Sequence, residues 1–232
     1  MSRKPKPTCY MCPRAATSRE HVPPAAFFPE SKDSPLGIDY RRNLITVPSC
    51  AEHNAAKSGD DQFVATIIAS CIQTNEVAQR LMTPKTIRAI RHRPGIIGFF
   101  DRLSPVHLGP IETGAFLVDR ERFDRAADHQ ARGLFYNYFG EKLASPLTVH
   151  TSSLFLASGA DAAAFNAQLR AVTDLISQSL DSAVRHGENP DVFFYQIARS
   201  SNNKAIIRMV YYGGFIVDAF VPDIAEISPG DA

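Results

Sequence analysis

Apolar residues recur at helical spacing in several segments of the chain. Residues 119–139 and 161–186 are both predicted to be long helices, the first ending in a run of aromatic side chains and the second rich in Ala and Leu. Thr83-Pro84 predicts the start of a shorter basic helix, since Pro is favoured at the first helical position. Another helix is predicted after a break at residues 59–61, where one face would carry Phe63, Ile67, Ile68, Cys71 and Ile72.

Runs of apolar and β-branched residues predict strands elsewhere. Residues 43–47 form a short strand candidate that ends at Pro48. In the second half, strands are predicted at residues 147–157, 192–198 and 205–221, the last being a hairpin that turns at Gly213-Gly214. Helices and strands follow one another without an internal repeat, and this order is typical of an α+β domain.

The first 60 residues differ from the rest because they are rich in proline and predict little regular structure. Such a segment is typical of a small module whose folding is coupled to metal binding. We therefore divide the chain into a metal-stapled module at 1–62, connecting helices at 63–93 and a larger α+β domain at 94–232. The prolines of the first segment are at positions 5, 7, 13, 23, 24, 29, 35 and 48.

Charge is nearly balanced over the 232 residues, with a formal net charge of +1 and a pI near 7.7. This excludes a global basic field, so any contact with nucleic acid needs a local patch. Residues 1–93 hold 14 Lys and Arg against 8 Asp and Glu, an excess of six. The basic helix predicted at 83–93 is the best candidate for phosphate contacts, through Lys85, Arg88 and Arg91.

No apolar run approaches the roughly 18 residues that a membrane-spanning helix needs. The basic N-terminus lacks the apolar stretch of a secretory signal. Closely spaced cysteines without an export signal indicate metal ligands in a reducing compartment. The expectation is a cytoplasmic protein that does not associate with a membrane.

Two short motifs carry ligands of the kind that zinc prefers. Cys9-Tyr-Met-Cys12 and Cys50-Ala-Glu-His53 each present two ligands from one tight turn. Together they form a Cys3His set, which belongs to the tetrahedral repertoire of structural zinc sites. A Glu-His pair lies between the two motifs, and this arrangement indicates that the zinc braces a site.

The N-terminal segment resembles an HNH (ββα-metal) nuclease over residues 9–61, about a quarter of the chain. The resemblance implies a strand, a long loop, a second strand and a helix around one divalent ion, with a zinc that holds the loop ends together. The matching residues are Cys9 and Cys12, then Glu20-His21-Val22-Pro23, Asn43-Leu44-Ile45, and Cys50, His53, Asn54 and Lys57.

The resemblance also implies a role for each residue. Glu20 and Asn54 would bind the catalytic ion, His21 would be the general base that activates water, and Asn43 would orient its imidazole. Lys57, one helical turn after Asn54, would meet the scissile phosphate or its neighbour.

The residues suit this chemistry on physical grounds. An imidazole with a pKa of about 6.5 can activate water near neutral pH, and phosphodiester hydrolysis needs a hard cation to stabilise the developing charge. The Glu20 carboxylate and the Asn54 amide are oxygen donors appropriate to Mg²⁺ or Mn²⁺. Thiolates prefer Zn²⁺, so one small module can bind two different metals through ligands of different softness.

Three positions depart from the family pattern. His53 stands where many members have cysteine. Asn54 stands where members usually have the final histidine of the HNH motif, and Glu20 stands where Asp or His is more frequent. In a second register, His53 binds the catalytic ion and the zinc site is incomplete.

The favoured function is therefore a metal-dependent endonuclease that acts on nucleic acid, with DNA as the favoured substrate. The sequence is also compatible with a homo-oligomer. One alternative is a non-catalytic zinc-ribbon module that binds nucleic acid or protein. The other is a regulatory protein whose C-terminal domain carries the main function.

Overall fold

Helices and strands are mixed along the chain in a computed structural model that describes residues 7–34, 37–55, 58–81, 104–108, 110–200 and 204–222. The predicted α+β class is confirmed, whereas the basic helix predicted at 83–93 lies outside the described residues. The helices are α1 (Ala51–Ala55), α2 (Ser58–Ala69), α3 (Glu76–Leu81), α4 (Arg120–Phe139) and α5 (Ala162–Ser179). The strands are β1 (Ser18–His21), β2 (Thr46–Ser49), β3 (Ser104–Leu108), β4 (Ile111–Ala115), β5 (Thr148–His150), β6 (His186–Asn189), β7 (Phe193–Arg199), β8 (Ala205–Tyr211) and β9 (Phe215–Phe220).

The largest element is an antiparallel sheet of five strands in the order β5-β9-β8-β7-β6. Every residue of β8 is buried, because successive side chains of this central strand face opposite sides and both sides are covered. Ile206 packs in a small cluster with Ile176 of α5, whereas Ile207 belongs to the main core.

Helix α4 lies in the main core and has the ends that its sequence favours. The Asp119 side chain accepts a hydrogen bond from the backbone N–H of Arg122 at 3.1 Å, which satisfies an N-terminal donor. Gly140 closes the helix with φ of 70°, a left-handed conformation that glycine adopts at little cost. The predicted helix at 119–139 is therefore confirmed to within one residue.

The buried ion pair of the sheet joins β8 and β9 to α5. Arg208 donates to both carboxylate oxygens of Asp218, at 2.7 and 2.9 Å, and Nη1 donates to Ser177 Oγ at 2.6 Å. His150 Nε2 lies 3.0 Å from Thr173 Oγ1 in the same region. These bonds attach α5 to the sheet through polar as well as apolar contacts.

The N-terminal part forms a two-stranded sheet followed by α1. Strand β1 pairs antiparallel with β2, so that Glu20 lies opposite Val47 and His21 opposite Thr46. The predicted end of the second strand at Pro48 is wrong, because β2 continues through Pro48 to Ser49. A two-stranded sheet tolerates this proline since each strand has an open edge.

Three other boundary predictions need correction. The helix predicted at 161–186 ends at Ser179, and His186 begins strand β6; Gln196 Nε2 of β7 donates to the carbonyl of Leu180 at 3.1 Å just beyond the helix. Of the strand predicted at 147–157, only Thr148–His150 pairs. The break predicted at 59–61 is helical, with Asp60 and Asp61 in the first turn of α2, where acidic residues favour the helix dipole.

Residues from the N-terminal and C-terminal parts share the main core. The hydroxyl of Tyr212 donates to the carbonyl of Phe27 at 2.5 Å, and Asn189 Nδ2 donates to the carbonyl of Arg42 at 3.1 Å. The boundary predicted between residues 62 and 63 falls inside α2. The predicted division into three parts remains a prediction.

Candidate metal centre

The first ligand motif is a tight turn held against β2. A bridge between Thr8 and Ala15 closes the turn, and the backbone N–H of Cys9 donates to the carbonyl of Arg14 at 2.8 Å. The N–H of Tyr10 donates to the carbonyl of Pro48 at 2.9 Å. These bonds fix the turn beside the end of β2, where the second motif begins.

The second motif spans the junction between β2 and α1. Cys50 directly follows the strand, and the N–H of Asn54 donates to its carbonyl at 3.0 Å in the first helical turn. His53 therefore lies almost one turn after Cys50, and the two side chains share one side of the short helix. A backbone hydrogen bond from His53 is the leading cause that lowers the pKa of the Cys50 thiol below its ordinary value.

The four side chains meet at one point. Their ligand atoms all lie within 4.8 Å of one another, so Cys9, Cys12, Cys50 and His53 are close enough to hold a metal ion. His53 Nδ1 is 3.2 Å from Cys50 Sγ and 3.5 Å from Cys9 Sγ. Cys12 Sγ is 3.8 Å from Cys50 Sγ.

These separations are compatible with a structural zinc site. Zn–S bonds of about 2.3 Å and Zn–N bonds of about 2.0–2.1 Å, set tetrahedrally, place sulfur atoms about 3.8 Å apart and nitrogen about 3.5 Å from sulfur. The observed Sγ–Sγ distance of 3.8 Å is far longer than the S–S bond of a disulfide, and none of the four cysteines forms a disulfide.

Helix α4 and the segment after it contact this cluster. Lys142 Nζ donates to the carbonyl of Cys12 at 2.7 Å, which ties the first motif to the C-terminal part of the chain. The ring of His129 lies edge-on to that of His53, with 6.0 Å between centroids. Arg14 and Glu52 form an ion pair that links the two motifs across the surface.

Glu20 and Asn54 lie on the side of β1 that faces α1. The Glu20 side chain is 6% exposed, and Tyr10 Oη donates to its Oε1 at 3.4 Å. Asn54 Nδ2 donates to Ser18 Oγ at 2.7 Å. Since Ser18 and Glu20 are two residues apart on the strand, their side chains share one face. The structure thus brings Glu20 and Asn54 to the same face of β1.

His21 and Asn43 are placed differently. His21 is exposed and is adjacent to buried Glu20 on the strand, so the two side chains point to opposite faces of β1. Asn43 is exposed in the loop before β2, with a left-handed φ of 55°. Within the described ranges, no side-chain hydrogen bond joins His21 to Asn43.

Four predicted site residues are outside the part of the chain that the structure describes. They are Lys57, Lys85, Arg88 and Arg91. Their predicted phosphate contacts therefore remain predictions.

The structure also adds residues that the motifs did not single out. Tyr10, between the first two cysteines, has a pKa raised first by burial and then by the charge of Glu20, and Asp61 contributes in the same direction. Asp61 lies in the first turn of α2. Tyr10 stands inside the Cys-x-x-Cys motif and Asp61 inside an acidic pair. Neither spacing reveals that Tyr10 approaches Glu20 or that the charge of Asp61 acts on Tyr10.

Comparisons with known proteins give no identification, because no protein-family model, no curated protein and no solved structure matches this chain. Among the described residues, none of the helices is both long and apolar enough to cross a membrane.

Proposed function

We propose that this chain is a metal-dependent endonuclease of the HNH type, which hydrolyses phosphodiester bonds of nucleic acid, DNA being the favoured substrate. One observation carries the proposal. A strand pair and a helix meet at a Cys3His cluster. They place an exposed histidine and a buried carboxylate at consecutive positions of β1, on opposite faces, and the Asn54 amide of α1 lies on the carboxylate's face. Zinc on Cys9, Cys12, Cys50 and His53 is proposed as the brace.

Glu20 and Asn54 are the proposed ligands of a second cation, Mg²⁺ or Mn²⁺. The Asn54 amide uses Nδ2 to donate to Ser18, and this leaves Oδ1 as the acceptor that a hard cation prefers. Glu20 offers carboxylate oxygen on the same face of β1. Such a cation would stabilise the negative charge that develops on the phosphoryl and leaving oxygens.

His21 is the proposed general base. It is exposed and ends β1, so a phosphate lying across the strand end would be within reach of His21 on one face and of the Glu20 face on the other. Attack in line with the leaving group favours base and metal on different sides of the phosphorus. Histidine is the side chain that most often serves as a general acid or base in enzymes.

Asn43, Lys57 and the basic helix complete the proposal. Asn43 is proposed to orient His21 once substrate is bound, since catalytic hydrogen bonds often form only in that complex. Lys57, Lys85, Arg88 and Arg91 are proposed to contact phosphates, each adding to a salt-dependent affinity.

A second candidate function is a zinc-braced binding module without catalysis. The observation that favours it is the burial of Glu20, which is 6% exposed and accepts a hydrogen bond from Tyr10. A buried carboxylate that accepts a hydrogen bond can have a purely structural role, which requires no cation.

A plasmid-nicking assay separates the two functions. The zinc-loaded protein would be incubated with supercoiled DNA in Mg²⁺, Mn²⁺ or Ni²⁺, alongside His21→Ala and Glu20→Gln. We expect nicking by the wild type in at least one metal and a loss of about 100-fold or more in His21→Ala, the usual contribution of a general base.

His107→Ala is the matched control, because His107 is also an exposed histidine on a short strand, β3, and lies outside the candidate site. It should nick as the wild type does. Equal nicking by wild type and His21→Ala, or none by the wild type in any of the three metals, would contradict the catalytic proposal. Such a result would favour the zinc-braced binding module without catalysis.

A further inference from the structure

A cleft of about 340 Å³ lies beneath the β3–β4 hairpin, at the lower end of the roughly 300–1,000 Å³ typical of small-molecule sites. Residues 70–73, which follow α2, the segment 153–157 and Phe165 near the start of α5 form other walls. None of the described residues that line it belongs to the candidate metal centre. It is therefore a second candidate site, independent of the proposed nuclease activity.

The hairpin presents one face to this cleft. Along both strands, exposed and half-buried residues alternate, and the half-buried set is Val106, Leu108, Thr113 and Ala115. Val106 lies opposite Thr113 in the register. These side chains line the cleft, while His107 and Glu112 point to the outer face.

The rim of the cleft is apolar and open. Leu117 is 83% exposed and Phe165 is 42% exposed, and both line the cleft with Leu156. Large apolar side chains gathered at an opening mark a site for an apolar partner more often than a plain surface. The thiol of Cys71 adds to the apolar wall, since burial raises its pKa to about 12 and keeps it neutral.

Arg120 supplies a cationic group at this site. Among the described lining residues it is the one charged side chain. Its guanidinium is fixed by two bonds, from Nε to Asp124 Oδ1 at 2.7 Å and from Nη2 to the Val149 carbonyl at 2.9 Å. Neither bond uses Nη1, so this nitrogen can donate to an acceptor on a ligand.

We propose that the cleft binds a small apolar molecule with a single carboxylate, whose hydrocarbon part lies under the β3–β4 hairpin and whose carboxylate accepts a hydrogen bond from Arg120. The apolar walls favour the hydrocarbon part by the area that it removes from water. The charge-assisted bond to Arg120 selects the anionic end.

Octanoate and octylamine are suitable probes, because they share a chain and differ in the charged group. Their dissociation constants for the full chain would be measured by isothermal titration calorimetry. We expect octanoate to bind about tenfold or more tightly than octylamine, the value of one hydrogen bond to a charged partner. Arg120→Gln should weaken octanoate binding by about the same factor, and Arg120→Lys should retain part of it.

A filling variant and a matched control test the place of binding. Thr113→Phe puts a ring into the cleft and should abolish octanoate binding, whereas Glu112→Ala, on the outer face of the same strand, should not change it. Leu156→Asp is a second variant, which places a negative charge at the exposed rim of the cleft. It should weaken octanoate binding by charge repulsion without changing the interior of the cleft. Equal affinities for the two probes, no binding of octanoate, or unchanged binding in Thr113→Phe and Leu156→Asp would each overturn the proposal.

Discussion

Gly133 of α4 lies against Val22, and a Cβ atom at position 133 would be 2.7 Å from Val22 Cγ2. Val22 directly follows His21, and its backbone N–H donates to the carbonyl of Ile45 at 3.0 Å. A helix from the C-terminal part of the chain therefore sets the position of the segment that carries the candidate base.

Gly133→Ala should destabilise the protein, although the same change inside a helix usually stabilises it by roughly 0.5–1 kcal/mol. Overpacking against Val22 costs about 1–3 kcal/mol, so we expect a net loss of about 1–2 kcal/mol in the free energy of unfolding, measured in urea. Adding Val22→Ala should recover part of that loss, which a double-mutant cycle would show.

Gly59→Ala is the control for this prediction. A Cβ atom there would meet Arg122 Nη2 at 3.6 Å, an ordinary contact, so stability should be unchanged or slightly raised. If Gly133→Ala were as stable as the wild type, close packing of α4 on Val22 would not set the position of that segment.

The metal content of the purified protein should be one zinc per chain. Cys50→Ser removes one of four ligands and should lower both the zinc content and the Tm, since binding of a structural zinc contributes several kcal/mol or more to folding. Elemental analysis and thermal unfolding with and without a chelator measure the two effects.

Cys71→Ser provides the matched cysteine control, because Cys71 Sγ donates to the carbonyl of Ile67 at 3.3 Å and lies outside the cluster. This variant should keep one zinc. Full zinc content in Cys50→Ser, or none in the wild type, would contradict the assignment of the four ligands.

His150 should make stability depend on pH. Burial lowers the pKa of His150, and the nearby charge of Asp218 opposes this only in part. The unfolded chain then binds a proton at a higher pH than the folded one does, so this contribution to stability is present above about pH 6.5 and is lost as pH falls through the folded pKa.

Urea unfolding between pH 7.5 and 5 measures this effect against His150→Gln. The free energy of unfolding of the wild type should fall more steeply towards acid than that of the variant. Parallel curves would show that His150 does not carry the effect.

Local signals predicted some parts of the chain well. The Cys9, Cys12, Cys50 and His53 cluster follows from spacing within two turns, and α4 agrees with the helix predicted at 119–139. The hairpin at Gly213-Gly214 is confirmed, with φ of 74° at Gly213. Gly214 is needed for another reason, because a Cβ there would lie 1.8 Å from the carbonyl oxygen of Gln73.

Other features depend on contacts between residues distant in sequence. The β3–β4 hairpin was not predicted, because its strands carry few large apolar residues on alternate positions. The approach of Tyr10 to Glu20 joins a zinc motif to β1, and the packing of Gly133 on Val22 joins parts 111 residues apart in the sequence. Spacing within one segment carries no information on such pairs.

Anomalous scattering at the zinc and manganese edges, measured on a crystal grown with Mn²⁺, would locate both metals. We expect zinc bound by Cys9, Cys12, Cys50 and His53, and a separate manganese on Glu20 and Asn54 with His21 nearby. Manganese bound by His53, or no manganese at Glu20 and Asn54 at saturating concentration, would contradict a zinc brace beside an oxygen-liganded catalytic metal.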